Sequence, residues 1–302
     1  FNDTATTEIY TRSLVGSVKM CIRDSNYSYG SKTGATDPYS HRYRSGEFSF
    51  PWHRNGEAIN EQGHATDLIV NEAIEWMESR ATPWFCYVPF TAVHTPIKAT
   101  QGWLDKYQYE KYDDDPLKDV SFKKYAAYAS HMDEAVGKMV ESLEVTGQRD
   151  NTIIIFTTDN GAIGSIPQHS SDVYPGWQEA GPRLGSNLPL RGFKAELYEG
   201  GIRTPTLINW RGQLEPGRMD HPVHVSDWMP TLVNLLGISP ANDPKWDGQD
   251  IWPLITGEVN NPDTRDIYWN FKGGQGLCIR SGCLLYTSDA ADERSSVDLG
   301  GR

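Results

Sequence analysis

The chain has 302 residues, 38% of them apolar and 11% aromatic, enough to bury a sizeable core in one large α/β domain or two smaller ones. Its net charge of −12, with no long Lys/Arg run, speaks against a nucleic-acid partner, which needs basic surface to neutralise phosphates. A small anionic substrate needs only a local basic cluster, and no apolar run approaches the roughly 20 residues of a membrane span.

In chain order, residues 1–25 show no helical or strand period and resemble translated sequencing-adapter read-through, as does the tail 283–302. Both are read as foreign to the fold, and no signal peptide is readable. The four cysteines, Cys21, Cys86, Cys278 and Cys283, fit no zinc spacing. Cys86, inside "WFCYVPF", is expected to be a buried core thiol. Residues 26–56 are rich in Gly, Ser and Tyr and read as a long irregular segment that opens on the glycosylation sequon Asn26-Tyr27-Ser28. "HATDLIVNEAIEWMESR" repeats apolar residues with a helical period, and Asp67 suits the first turn. "PWFCYVPF", 83–90, has the continuous apolar character of a buried strand. "WLDKYQYEKYDDDPLKD" reads as a solvated loop.

A second helix is expected over 121–146, with Gly147 as its stop. The apolar strand 152–158 follows, then a Gly/Pro/Ser-rich loop over 162–192. "TPTLINW" reads as a further buried strand. "SDWMPTLVNLLG" reads as a helix capped by Ser226 or Asp227. Helix and strand alternating in this way predict an α/β fold with a mainly parallel sheet, whose ligands gather beyond the carboxyl ends of the strands.

Three groups lie where such a ligand would sit. Asp159, Asn160 and Gly161 end the 152–158 strand; they suit a turn, and equally a hard-metal site, since Ca²⁺ and Mg²⁺ take carboxylate and amide oxygens. His94 follows the 83–90 strand. Lys194 lies in a basic stretch, 183–211, that holds Arg183, Arg191, Arg203 and Arg211 against only Glu196 and Glu199. A metal with a converging Lys and His can hold and stabilise a tetrahedral oxyanion. Trp52, Trp103 and Trp177 could stack on sugars, although burial is the commoner role of a single Trp.

"FTTDNG" followed some thirty residues later by "LRGFKAELYEGGIRTP" resembles the formylglycine-dependent sulfatases. "GHATDLIVNEAIEWM", "PFTAVHTP", "YAAYASHMDEAVGKMVESL" and "HVSDWMPTLVNLLG" occur in the same order as in that family, and look most like its arylsulfatase B (N-acetylgalactosamine-4-sulfatase) group. The resemblance covers residues 27–282. It implies a sulfatase, or alkaline-phosphatase-like, α/β fold. Its partial catalytic domain would occupy 26–240, and the start of a C-terminal subdomain 241–282. It also implies hydrolysis of sulfate esters, sulfated glycans among them, in a secreted, lysosomal or periplasmic setting. It makes Asp159 and Asn160 ligands of Ca²⁺ in preference to Mg²⁺, and His94 and Lys194 the catalytic and sulfate-binding residues. Gly200, Gly201 and Arg203 become a structural turn.

The sequence departs from the family in one decisive place. The family's nucleophile comes from a Cys/Ser-X-Pro-X-Arg motif, and no such motif stands in these 302 residues. The chain is therefore expected to lack the formylglycine, with both ends of the parent lost. Two other classes fit part of the pattern: a phosphatase or phosphodiesterase of the same superfamily, and a non-catalytic protein that binds sulfated carbohydrate. No oligomeric state follows from the sequence.

Overall fold

A computed structural model describes residues 25–32, 34, 36–42, 52–164, 184–260, 262–271 and 276–287. The chain divides into two units, one of residues 1–152 and 161–188, the other of 153–160 and 189–302.

The first unit opens on an antiparallel sheet of β1 (Tyr29–Ser31), β2 (Trp52–Arg54) and β3 (Glu57–Ala58). Sequence period alone reads this Gly- and Ser-rich region as irregular, because two- and three-residue strands are too short to show alternation. Trp52 anchors the sheet. It is 1% exposed, meets Tyr29 edge-on and stacks on His41, and its indole N–H donates to Glu61.

Helix α1 (Ala65–Glu78) follows, with Asp67 in its first turn and a buried face that includes Ile69, Val70 and Met77. Full burial of an aliphatic side chain such as Val70 contributes roughly 1.5–3 kcal/mol. Short helix α2 (Gln101–Tyr107) and the 30-residue α3 (Pro116–Val145) complete the unit. The "DDDP" run is the start of α3. Asp115 is its N-cap, accepting from Leu117 N–H at 2.9 Å, and Pro116 takes the first helical position, where no N–H is needed. Gly147 ends α3 as expected: at φ 68° it donates to Glu144 O while Gln148 N–H reaches back to Leu143 O.

Residues 83–90 form no strand and join no ladder among the described residues, contrary to the expected buried strand. Val88 and Phe90 pack on the Trp52–Ala65–Ile69 cluster, whereas Phe85 and Tyr87 are exposed. Cys86 is half-buried rather than fully buried, and burial still pushes its thiol up to about 11.

In the second unit β4 (Ile154–Thr157) pairs with β5 (Thr206–Asn209), the four-residue helix α4 (Glu199–Ile202) lying between them in sequence. Helices α5 (Trp228–Leu235) and α6 (Trp252–Ile255) come next. A meander of β6 (Asp266–Phe271), β7 (Gly276–Ser281) and β8 (Leu284–Thr287) follows. β8 falls in the tail read as patternless; a two-residue turn, Gly282 at φ 56° and Cys283, folds it onto β7.

The expected mainly parallel sheet is not found among the described residues, where every strand pairing is antiparallel. Alternating helix and strand predicts the α/β class; the direction in which two strands pair depends on contacts far apart in sequence. Asp227 is the N-cap residue of α5, as expected, but makes no side-chain cap bond to it; His224 caps the preceding 3₁₀ turn Val225–Asp227, and the Asp227 carboxylate bonds back to His224 N–H.

Asp227 is fully buried. It accepts both guanidinium arms of Arg265 at 2.8 and 2.6 Å, and the N–H groups of His224 and Gln249 at 2.6 and 3.0 Å. Removing one partner of a buried pair strands the other charge, so Asp227→Ala should lower stability by about 3–5 kcal/mol. A urea midpoint unchanged from wild type would show that the pair does not hold this unit together.

Candidate functional site

Loop 91–97 carries His94. Its backbone N–H bonds to Thr91 O, and its exposed ring places Nδ1 2.7 Å from Thr95 O. A carbonyl only accepts, so Nδ1 carries the proton and the lone pair of the neutral ring lies on Nε2. Trp52 and Trp103 are not bare sugar platforms. Trp52 is core, while Trp103 packs beside Ala127 and Tyr128, donates to Glu134, and has Lys106 Nζ 3.4 Å above its ring. Trp177 lies outside the described residues, as does Arg183.

In the second unit, Asp159 and Asn160 follow the last residue of β4 by two and three positions. Asp159 is exposed, and its Oδ1 accepts from the N–H of the next residue, Asn160, at 2.9 Å, within a bend of the chain. Because β4 and β5 are antiparallel, with Thr157 opposite Thr206 and their hydroxyls 2.9 Å apart, the tip of β4 and the entry to β5 are the same end of the ladder. Helix α4 ends four residues before Thr206, so the "YEGGIR" block stands at that end too.

Lys194 precedes α4 by five residues, in a turn closed by Glu196 N–H to Phe193 O at 2.9 Å. Three other cations near it in sequence or paired to α4 have partners. Glu199 pairs with Arg203 at 3.3 Å and with Arg280, and the Arg191 guanidinium lies 4.0 Å over the Tyr198 ring. Among the described residues Lys194 has no ion-pair partner. The structure therefore assembles Asp159, Asn160 and the α4 block at one end of a ladder in one unit, while His94 belongs to the other unit.

A cluster that sequence reasoning did not single out lies in the first unit: donor atoms of His64, Asp67 and His131 all fall within 4.8 Å of one another. The signal was available. His64 and Asp67 are three apart at a helix start, and His131 follows Tyr128 by three on the buried face of α3. The set could take a divalent ion; three of its four ring nitrogens already have protein partners, and His131 Nδ1 is buried without one among the described residues. His64 accepts from Thr66 N–H through Nδ1 and meets Lys98 O through Nε2 at 2.8 Å, and His131 Nε2 bonds Asp67 at 2.9 Å. Imidazole nitrogens suit Zn²⁺ better than Ca²⁺. The oxygens of Asp159, exposed, and Asn160, half-buried, are harder donors, of the kind that Ca²⁺ takes six to eight of.

The sulfatase family profile matches residues 10–238, and the chain belongs to the sulfatase family. An uncharacterized sulfatase of Escherichia coli K12, YdeN, is 29% identical over 72% of this chain and 35% of its own length. Mouse arylsulfatase J is 33% identical over 60% of the chain and 26% of its own length. The chain thus spans about a third of the length of the curated relatives it matches. The crystal structure of Ps i-CgsB in complex with k-i-k-neocarrahexaose superposes with a TM-score of 0.69 at 24% identity, covering 90% of this chain and 62% of that one. This establishes the α/β sulfatase fold. The family in general uses a formylglycine and a divalent metal. No described helix is long and apolar enough to cross a membrane.

Burial holds the imidazoles of His41, His64 and His224 below their ordinary value of 6.5, a positive neighbour at His131 adding to the effect on His64. A depressed histidine contributes stability that is complete above the unfolded value and is lost as pH falls through the lower folded one. Asp67, held below its ordinary value of 3.8 by its bond to His131, enters only at more acid pH. The melting temperature should therefore drop between pH 7.5 and 5. His64→Asn keeps a helix cap but removes the titration, and should make that drop shallower. An identical pH slope in both proteins would remove His64 from the account.

Proposed function

We propose that this chain carries the sulfate-binding part of a sulfuric ester hydrolase of the arylsulfatase type, closest to the arylsulfatase B group. Its substrates would be sulfate esters, those of sulfated glycans included, and its metal Ca²⁺. The observation that supports this most is the shared end of the β4–β5 ladder, where the Asp159-Asn160 tip and the α4 block stand together, Lys194 preceding α4 by five residues. Family membership and the carbohydrate bound to Ps i-CgsB point the same way. The setting would be secreted, lysosomal or periplasmic, and the exposed Asn26 of the sequon suits such a compartment.

In this reading Asp159 and Asn160 would hold the cation with one oxygen each. Bound there, Ca²⁺ would draw electron density from the sulfate oxygens, and a formylglycine in the same enzyme would supply the nucleophile. Lys194 adds a fixed positive charge on those oxygens, strongest as negative charge builds in the transition state. His94, its Nδ1–H held by Thr95 O, would act as the general acid only as the imidazolium, whose Nε2–H would pass its proton to the departing alcohol oxygen and leave the neutral ring.

Lys194→Ala, made in an enzyme that joins this chain to a formylglycine motif, should lower aryl sulfate hydrolysis by about 10²–10³ with little change in melting temperature. Activity within a few-fold of wild type would separate Lys194 from the sulfate. Faster cleavage of a phosphate ester than of a sulfate ester would favour the phosphatase reading. Binding of sulfated glycan without turnover would favour the carbohydrate-binding one. The 302-residue chain alone, with no Cys/Ser-X-Pro-X-Arg motif, is expected to hydrolyse no aryl sulfate.

A further inference from the structure

The turn that presents Lys194 is built against the preferences of its own residues. Its closing bond, Glu196 N–H to Phe193 O, makes Lys194 and Ala195 the two central positions. Ala195 sits at φ 73° and Lys194 is not in the positive region, the signature of a type II turn, whose third residue is ordinarily Gly. An alanine there is strained, because its Cβ crowds the following carbonyl oxygen. Something else must hold the turn shut.

Two features do so. The Glu196 side chain reaches back and accepts Phe193 N–H through Oε2 at 3.1 Å, so both backbone polar groups of Phe193 are tied to Glu196. From the other side, α4 presses on the turn through residues that have no side chain. A Cβ on Gly201 would lie 2.5 Å from Phe193 O and closer still to Glu196 O. One on Gly200 would lie 2.6 Å from Arg191 O, and Gly200 N–H instead donates to that oxygen. A Cβ on Gly192 would meet Tyr198 Cβ at 2.7 Å and the Glu196 carboxylate at 3.0 Å. The glycines set the distance between turn and helix, and the Glu196 carboxylate sets the shape of the turn itself.

Resting on the reading of Lys194 as the sulfate contact, we infer that Glu196 is a positioning residue: its carboxylate locks the Phe193–Glu196 turn and so fixes the direction from which Lys194 meets the anion. Glu196 touches no substrate in this role. Its negative charge near an anion site is unfavourable, so an acid is tolerated there only for the hydrogen bond it accepts. Gln accepts the same bond through its amide oxygen without the charge, and Ala does neither. The pair of variants therefore separates positioning from charge.

The test is a calorimetric titration of the 302-residue chain with inorganic sulfate, with amide exchange of the 191–198 peptide read by mass spectrometry. Glu196→Ala should bind sulfate about two- to tenfold more weakly than Glu196→Gln, the range a single net hydrogen bond is worth, and should exchange faster. Glu196→Gln should match wild type or bind more tightly. Ala195→Gly, which relieves the strained φ, should do no worse than wild type. Glu196→Ala added to Lys194→Ala should weaken binding no further than Lys194→Ala alone, because the two act through one ammonium. Equal affinity of the Ala and Gln variants, with Lys194→Ala still weakened, overturns the positioning role and leaves Lys194 as the sulfate contact. Sulfate binding by Lys194→Ala at wild-type strength, or none by the wild-type chain, overturns the Lys194 reading and the positioning role together.

Discussion

The site in the second unit depends on which way β5 runs beside β4. The four pairs from Ile154↔Asn209 to Thr157↔Thr206 are antiparallel, so the segment that leaves β4 and the segment that enters β5 occupy one end of the ladder. Had the strands been parallel, the same sequence would have put the Asp159-Asn160 tip and the α4 block at opposite ends, about 10 Å or more apart over four residues at the rise of a strand. The register matters as much. A slip by one residue would turn Leu207 and Asn209, which face outward, to the inner side, and would separate the two threonine hydroxyls that now meet across the last pair.

The charges at that end are distributed unequally. Glu199 answers both Arg203 and Arg280, and Arg191 lies on Tyr198, so these three cations are matched to an acid or a ring. Lys194 is placed differently: it is half-buried, on a turn, with no acidic partner among the described residues. In a chain of net charge −12 the long-range field does not attract an anion. Screening over about 8 Å at physiological salt confines the contest to the nearest groups.

Much of this was legible in the sequence, for particular reasons. Helix α3 announces itself through Tyr128, Met132, Val136 and Leu143 at helical spacing, and its end through Gly147, because period and left-handed caps are local properties. Asp159 and Asn160 stand out because a carboxylate and an amide just past an apolar strand are unusual enough to notice, whereas the 83–90 segment before His94 joins no ladder among the described residues. The hairpin partner of β4 was not legible, since pairing direction is set some fifty residues away. Nor were β1–β3, too short for alternation, or the cap at His224, an imidazole standing where Ser or Asp is the rule. The His64–Asp67–His131 cluster was missed because each residue has an ordinary reading on its own helix; only the packing of α1 on α3 brings them together.

That cluster and the Lys194 turn show two ways in which polar groups are fixed. Inside the first unit, His131 and His64 are 2% and 4% exposed, and each ring is oriented by an acceptor, Asp67 or the Lys98 carbonyl. In a desolvated position such bonds are strong, and losing one leaves an orphan group, so rigidity there comes from enthalpy. The Lys194 turn is nearer water, where a hydrogen bond has less net worth. The bond from Phe193 N–H to the Glu196 carboxylate is therefore backed by excluded volume: glycines at 192, 200 and 201 let three stretches of backbone approach more closely than any side chain would allow. Close backbone contact does not weaken when water enters, so the hydrogen bond that shapes the turn is made within a frame that stays in place.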